Sequence, residues 1–172
     1  MHFDLTSSSA EDQRRTVDLA LQLGARPFDV GQRGDEGHVV LADPEGNEFC
    51  VIGPDNAFLA GTARIGALAG EGMPEVGFFW SRVLGWPLVW DQDGETAIQS
   101  PRGGTKLTWG GPPVAPKRGR SRLRWVLETD GPLDAEVGRL LALGATAVRT
   151  DAGRAELADP GGDEFMLERA RP

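Results

Sequence analysis

Residues 41–52 read LADPEGNEFCVI and residues 157–168 read LADPGGDEFMLE. Each block follows a helix-like segment ending in Leu-Gly-Ala, LALQLGAR at 19–26 and LLALGATA at 140–147. The shared order is an apolar strand, an amphipathic helix, two short strands, and an Asp-Pro-x-Gly turn into a last strand. Two matched blocks in one fixed order mark a duplicated unit, so any fold of this chain must place that unit at least twice.

The first copy spans 1–53. HFDLT is its opening strand, and Ser9 or Ser8 caps the helix that follows, with Glu11 and Asp12 in the first turn. Val17, Leu19, Ala20, Leu21 and Leu23 form the apolar stripe of that helix, and Gly24 supplies its left-handed stop. The last copy spans 121–169. LRWVLET is the strand, Pro132 sits near the first helical position, and Val137, Leu140, Leu141 and Leu143 form the stripe before Gly144. Residues 62–110 repeat the plan in different wording. ARIGALA is a strand, PEVGFFWSRVLG a helix stopping at Gly85, WPLVWD and ETAIQS two strands around Asp93-Gly94, and TKLTWG the closing strand. The joints at 53–61 and 110–122 are exposed connectors, and the KRGR run at 117–120 reads as a solvated loop. With 24 glycines and 12 prolines in 172 residues, short strands and tight turns are favoured over a helical bundle.

A formal net charge of -8 argues against a basic surface for nucleic acid or for an anionic membrane. One cysteine excludes an internal disulfide, and His2 and His38 cap any histidine-based metal site at two such ligands per chain. No apolar run approaches a membrane span and no signal pattern opens the chain, so a cytoplasmic protein is expected. Nucleophile elbows, HExxH helices, Walker loops and dinucleotide-binding glycine motifs do not occur.

The segments HFDL at 2–5, LGAR at 23–26, LADPEGNEFC at 41–50, FFWSRVLGWPL at 78–88 and LADPGGDEF at 157–165 resemble the vicinal oxygen chelate superfamily. That group includes glyoxalase I, bleomycin resistance proteins and extradiol dioxygenases, and the chain is similar to its tandem glyoxalase-like members of actinobacterial type. The resemblance implies an α+β fold of paired βαβββ modules whose mixed sheets curl into a cup with the active site on the concave face. It implies three modules here. Modules 62–110 and 121–169 would form a complete domain over 62–169, and 1–53 a trailing half without a partner inside the chain. An unpaired half exposes an apolar face, so either a leading module has been lost or a homodimer joins two first modules.

Metal-using members of the family draw ligands from the first and last strands of each paired module. Transferred to modules two and three, these positions are Ile65 (or Gly66), Lys106, Arg124 and Met166. Two cations, an aliphatic side chain and a thioether do not make a metal site, so none is expected there. In module one His2 falls on the family's histidine position and Cys50 on its glutamate position. Glu48 shares a strand face with Cys50, and Asp4 shares one with His2.

Three functional readings follow. In the first, the chain binds a small anionic or polar molecule in a metal-free cup lined by Lys106, Arg124, Glu128 and Met166, with no cofactor, as sequestration or resistance proteins do. Glu128 shares a strand face with Arg124, so the two can also form an internal salt bridge. In the second, the chain is a lyase, isomerase or dioxygenase whose divalent metal or acid–base site is built on His2 and Glu48 and completed across a dimer. The third is a structural domain with no ligand. Trp109 and Trp125 are expected on the helix-packed side of their strands, and Asp43 and Asp159 are expected to be turn formers, not catalytic carboxylates.

Overall fold

The computed structural model describes residues 1–32, 37–117, 119–151 and 153–170. Arg118 of the KRGR run lies outside the described residues. The elements run β1 (His2–Leu5), α1 (Ala10–Gln22), β2 (Arg26–Pro27), β3 (His38–Ala42), β4 (Glu48–Ile52), a 3-10 turn (Ala57–Leu59), β5 (Ile65–Gly70), α2 (Pro74–Leu84), β6 (Leu88–Gln92), β7 (Glu95–Ile98) and β8 (Lys106–Trp109). They continue with β9 (Val126–Thr129), α3 (Leu133–Leu143), β10 (Thr146–Asp151), β11 (Arg154–Ala158) and β12 (Glu164–Arg169). The fold is α+β with two mixed sheets, of strand order β2-β3-β4-β1-β5-β8-β7-β6 and β10-β11-β12-β9. The chain divides into two compact units, one of His2–Gly70 with Gln99–Thr108, the other of Met1, Glu71–Ile98 and Trp109–Pro172.

In the first unit β1 lies parallel to β4, with Asp4 opposite Cys50, and antiparallel to β5, with His2 opposite Ala69 and Asp4 opposite Ala67. This ladder differs from the expected first half without a partner strand in the chain. The bare edge of β1 satisfies its backbone groups on β5, which the connector at 53–61 brings alongside. Ser9 caps α1 by accepting from Asp12 N at 3.0 Å, and Gly24 turns the chain at φ 96. The expected apolar stripe of α1 is not buried: Leu19 is 55% and Leu23 71% exposed. The helix turns its Gln13–Thr16–Val17–Ala20 side inward, where Gln13 Nε2 donates to Val51 O at 3.0 Å. Leu19 and Leu23 are left to line an open apolar groove with Leu5 and Phe49.

Registered neighbours share a sheet face, so Asp4, Cys50, Val40 and Ala67 point the same way. The apolar part of this face, Val40, Cys50, Ile52 and Ala67, is covered by Phe58 and Leu59 from the 3-10 turn. Asn56 Oδ1 accepts from Leu59 N at 3.0 Å to start that turn. Lys106 Nζ then donates to Phe58 O at 2.7 Å and to Ala60 O at 3.0 Å, so a buried ammonium satisfies carbonyls that the turn leaves open.

In the second unit the four-stranded sheet buries Ala155, Leu157, Phe165 and Leu167 on one face. Phe79 and Trp80 of α2 reach this core, with the Trp80 and Phe165 rings 5.0 Å apart and the Trp80 and Trp125 rings 5.8 Å apart. Trp109 is buried beside Gly72, where an added Cβ would stand 2.9 Å from its ring. Trp109 is therefore a core residue, and the half-buried Trp125 packs its ring against the core from the edge. Asp43 Oδ1 accepts from Glu45 N and Asn47 N at 2.9 and 2.8 Å, and Asp159 Oδ1 accepts from Gly161 N and Asp163 N at 2.9 and 3.0 Å. The two carboxylates build the repeated turns.

Candidate functional site

The parallel pairing of β1 with β4 brings four polar side chains onto one patch of the first unit. His2 Nε2 lies 3.3 Å from Asp4 Oδ1, and His2 Nδ1 lies 3.8 Å from Glu48 Oε1. One ligand atom each of His2, Asp4 and Cys50 falls within 4.8 Å of the other two. Asp4 and Cys50 are buried, His2 is half-buried, and the Glu48 side chain is 41% exposed. Ala67 and Ala69 stand opposite on β5, so small side chains flank the cluster.

Burial pushes the Cys50 thiol up to about 12, and the Asp4 carboxylate, by its charge and as hydrogen-bond acceptor, adds to the effect, as does Glu48. The thiol is neutral at neutral pH and inert as a nucleophile. A divalent cation is the species that would take the place of its proton, since imidazole nitrogen, carboxylate oxygen and thiolate sulfur are together a donor set of zinc type. The residues present therefore fit a metal.

Of the positions expected to line a cup, Lys106 lies in one unit and Arg124, Glu128 and Met166 lie in the other. Lys106 belongs to the first unit and spends its ammonium on Phe58 O and Ala60 O. Burial lowers its pKa. Arg124 and Met166 belong to the second unit, where they line one cavity of about 260 Å³ with Arg120, Arg154, Glu156 and Glu168. Arg124 NH1 contacts Glu156 Oε1 at 3.3 Å, and Arg120 pairs with the same carboxylate. The expected intrastrand partner Glu128 is exposed and does not line that cavity. Ile65 is 44% exposed, and Gly66 is packed by Thr6 and Leu59. Glu156 lies on β11, opposite Met166 of β12, and its part in the cavity is a matter of strand order that no motif in the sequence announces.

Two strand–helix–strand–strand–strand segments joined through their first strands, β1 and β5, with polar groups gathered on β1 and β4, define the glyoxalase-like class of fold. The family model of the glyoxalase-like domain matches residues 1–52 and 68–168, and the chain belongs to this family and to the vicinal oxygen chelate superfamily. No curated protein matches it in sequence. Among solved structures, two variants of glyoxalase I from Zea mays superpose with TM-scores of 0.64 and 0.65 at 17% and 16% identity. Each match covers 98% of this chain and, respectively, 66% and 68% of the maize chain. A glyoxalase/bleomycin resistance protein/dioxygenase family enzyme from Burkholderia phytofirmans PsJN matches with a TM-score of 0.50 at 12% identity, over 64% of this chain and 98% of that one. These likenesses concern the fold.

Proposed function

We propose that the chain binds a small polar molecule at a divalent metal held by His2, Asp4 and Cys50, in a lyase, isomerase or dioxygenase type of site. The observation that carries this reading is the convergence of three donor atoms, two of them on buried residues, within 4.8 Å. When bound, the metal supplies Lewis-acid polarisation of an oxygen on the bound molecule. His2 Nε2 faces Asp4 while Nδ1 faces Glu48, so coordination through Nε2 leaves the proton on Nδ1, directed at Glu48. Glu48 is the more exposed carboxylate and is placed to exchange a proton with the molecule. The 3-10 turn, pinned by Lys106, keeps water from the apolar side of the same face.

Elemental analysis with cobalt loading tests this. One cobalt per chain with a thiolate charge-transfer band, lost in Cys50→Ala and in His2→Ala, is the expected result. Protein that takes up no stoichiometric metal, or whose cobalt shows no band, overturns it.

A second reading, a metal-free site of sequestration type for an anionic or polar molecule, is favoured by the cavity that Arg124 and Met166 share. Ligand-dependent stabilisation that disappears in Arg124→Ala supports it. The proposed partners are a small molecule and a second copy of the chain, with neither nucleic acid nor membrane. Among the described residues no helix is long and apolar enough to cross a membrane. The free, buried Cys50 suits the reducing cytoplasm.

A further inference from the structure

The parallel strands β1 and β4 end side by side, with Leu5 opposite Val51. Beyond those ends the first unit holds a cavity of about 450 Å³, within the size range of small-molecule sites. None of His2, Asp4, Glu48 and Cys50 lines it. Ile52 and Leu59 supply apolar lining, and Ser7, Asp12, Asn56 and Arg64 supply polar lining.

The polar groups divide by where their hydrogens go. The hydroxyls of Thr6, Ser8 and Thr62 donate to Ala63 O at 2.8 Å, Asp12 Oδ2 at 3.2 Å and Leu59 O at 2.8 Å. Asp12 is the one carboxylate of the lining, and it also accepts from Ser8 N at 2.9 Å and Arg64 NH1 at 3.1 Å. The bond from Ser8 N, with the others behind it, holds this carboxyl below the usual range, so Asp12 is committed to the protein. Three donors are not committed. Ser7 is 8% exposed, and its Oγ is buried with no hydrogen-bond partner among the described residues. Asn56 uses its Oδ1 on Leu59 N at 3.0 Å, which leaves Nδ2 without an acceptor among the described residues. Arg64 donates to Thr6 O, Asp12 Oδ2 and Thr16 Oγ1, and its other guanidinium hydrogens have no acceptor there. A hydroxyl that has left water without gaining a partner is unfavourable, so a group in the cavity that accepts from Ser7 recovers a loss the fold has already taken.

We propose that this cavity binds a small organic carboxylate with a short aliphatic body. A carboxylate offers lone pairs to all the uncommitted donors and carries the charge that Arg64 complements. Asp12 keeps Ser8, and Arg15 at 3.5 Å, when Arg64 is shared with the ligand. The body is set by Ile52 and Leu59, which belong to the apolar cluster with Val40, Cys50 and Ala67 and present part of it to the cavity. A neutral alcohol lacks the charge, and an inorganic oxyanion lacks the body.

Titration of the isotopically labelled chain with sodium butyrate, followed by amide NMR shifts, tests the proposal. The chain is first passed over a chelating resin, so that no metal at the His2 cluster takes the carboxylate. Saturating shifts clustered at residues 6–8 and 52–64 are expected, with a dissociation constant below about 10 mM, and neither butanol nor inorganic phosphate should reproduce them. Ser7→Ala should weaken butyrate at least about fivefold. It should leave the thermal midpoint of the free chain unchanged or higher, because the hydroxyl it removes has no partner to lose. Asn56→Asp keeps an oxygen for Leu59 N but turns the donor into a like charge, and should weaken butyrate at least about tenfold. Shifts that do not saturate, or that butanol or phosphate matches, overturn the proposal. So does a butyrate affinity indifferent to Ser7→Ala or to Asn56→Asp, or a Ser7→Ala chain that loses stability together with affinity.

Discussion

Trp80 Nε1 donates a hydrogen bond to Asp159 Oδ2 at 3.0 Å, and both residues are almost wholly buried. The bond ties α2 to the Asp-Pro-x-Gly turn between β11 and β12, the most recognisable feature of the repeat. Asp159 uses its other oxygen on the backbone of the same turn, so each carboxylate oxygen has a donor. Trp80→Phe removes one donor and leaves a buried oxygen unsatisfied. It is expected to cost about 1–3 kcal/mol, read from a lowered urea midpoint at unchanged slope.

Glu164 gives a pH dependence of definite sign. Burial pushes its carboxyl up, but hydrogen bonds from Lys117 Nζ at 2.7 Å and Ser121 N at 3.1 Å outweigh this and hold it at about 2, below the usual 4.5. Between those values the unfolded chain binds more protons than the folded one, so stability rises with pH there. The contribution is complete above 4.5 and is lost as pH falls towards 2. Glu164→Gln should flatten that part of the acid unfolding curve, followed by circular dichroism.

Lys106 is expected to be structural. Lys106→Met keeps most of the apolar stem but leaves Phe58 O and Ala60 O without the ammonium. A loss of about 1–3 kcal/mol is expected, with faster hydrogen exchange confined to residues 57–60.

Two helical glycines should respond in opposite directions. A Cβ at Gly77 would sit 2.6 Å from Thr96 Cβ, inside contact distance of a fully buried residue. Gly77→Ala should destabilise by about 1–3 kcal/mol through overpacking. A Cβ at Gly138 meets nothing within 4 Å. Gly138→Ala should stabilise by about 0.5–1 kcal/mol, since alanine gives up less backbone entropy in a helix. Thermal melting of both variants is sufficient to check this.

The chain's own residues determined its local structure. The repeated LADP blocks fixed both Asp turns, Gly24, Gly85 and Gly144 fixed helix ends, and Asp93-Gly94 fixed a hairpin, because backbone conformation at these positions depends on the residue itself. The place of Trp109 in the core, and the side of its strand from which Trp125 meets Trp80, followed from strand alternation. Which segments pair was decided only by the tertiary structure. An apolar strand edge is satisfied by any strand of matching register, and β1 took β5. The same long-range choice gave Lys106 to the carbonyls of the 3-10 turn and Arg124 to Glu156, partners 46 or 48 and 32 residues away that local spacing could not single out. It also left Leu19 and Leu23 in an open groove, since periodicity shows that a helix has an apolar side but not how much of that side the sheet will cover.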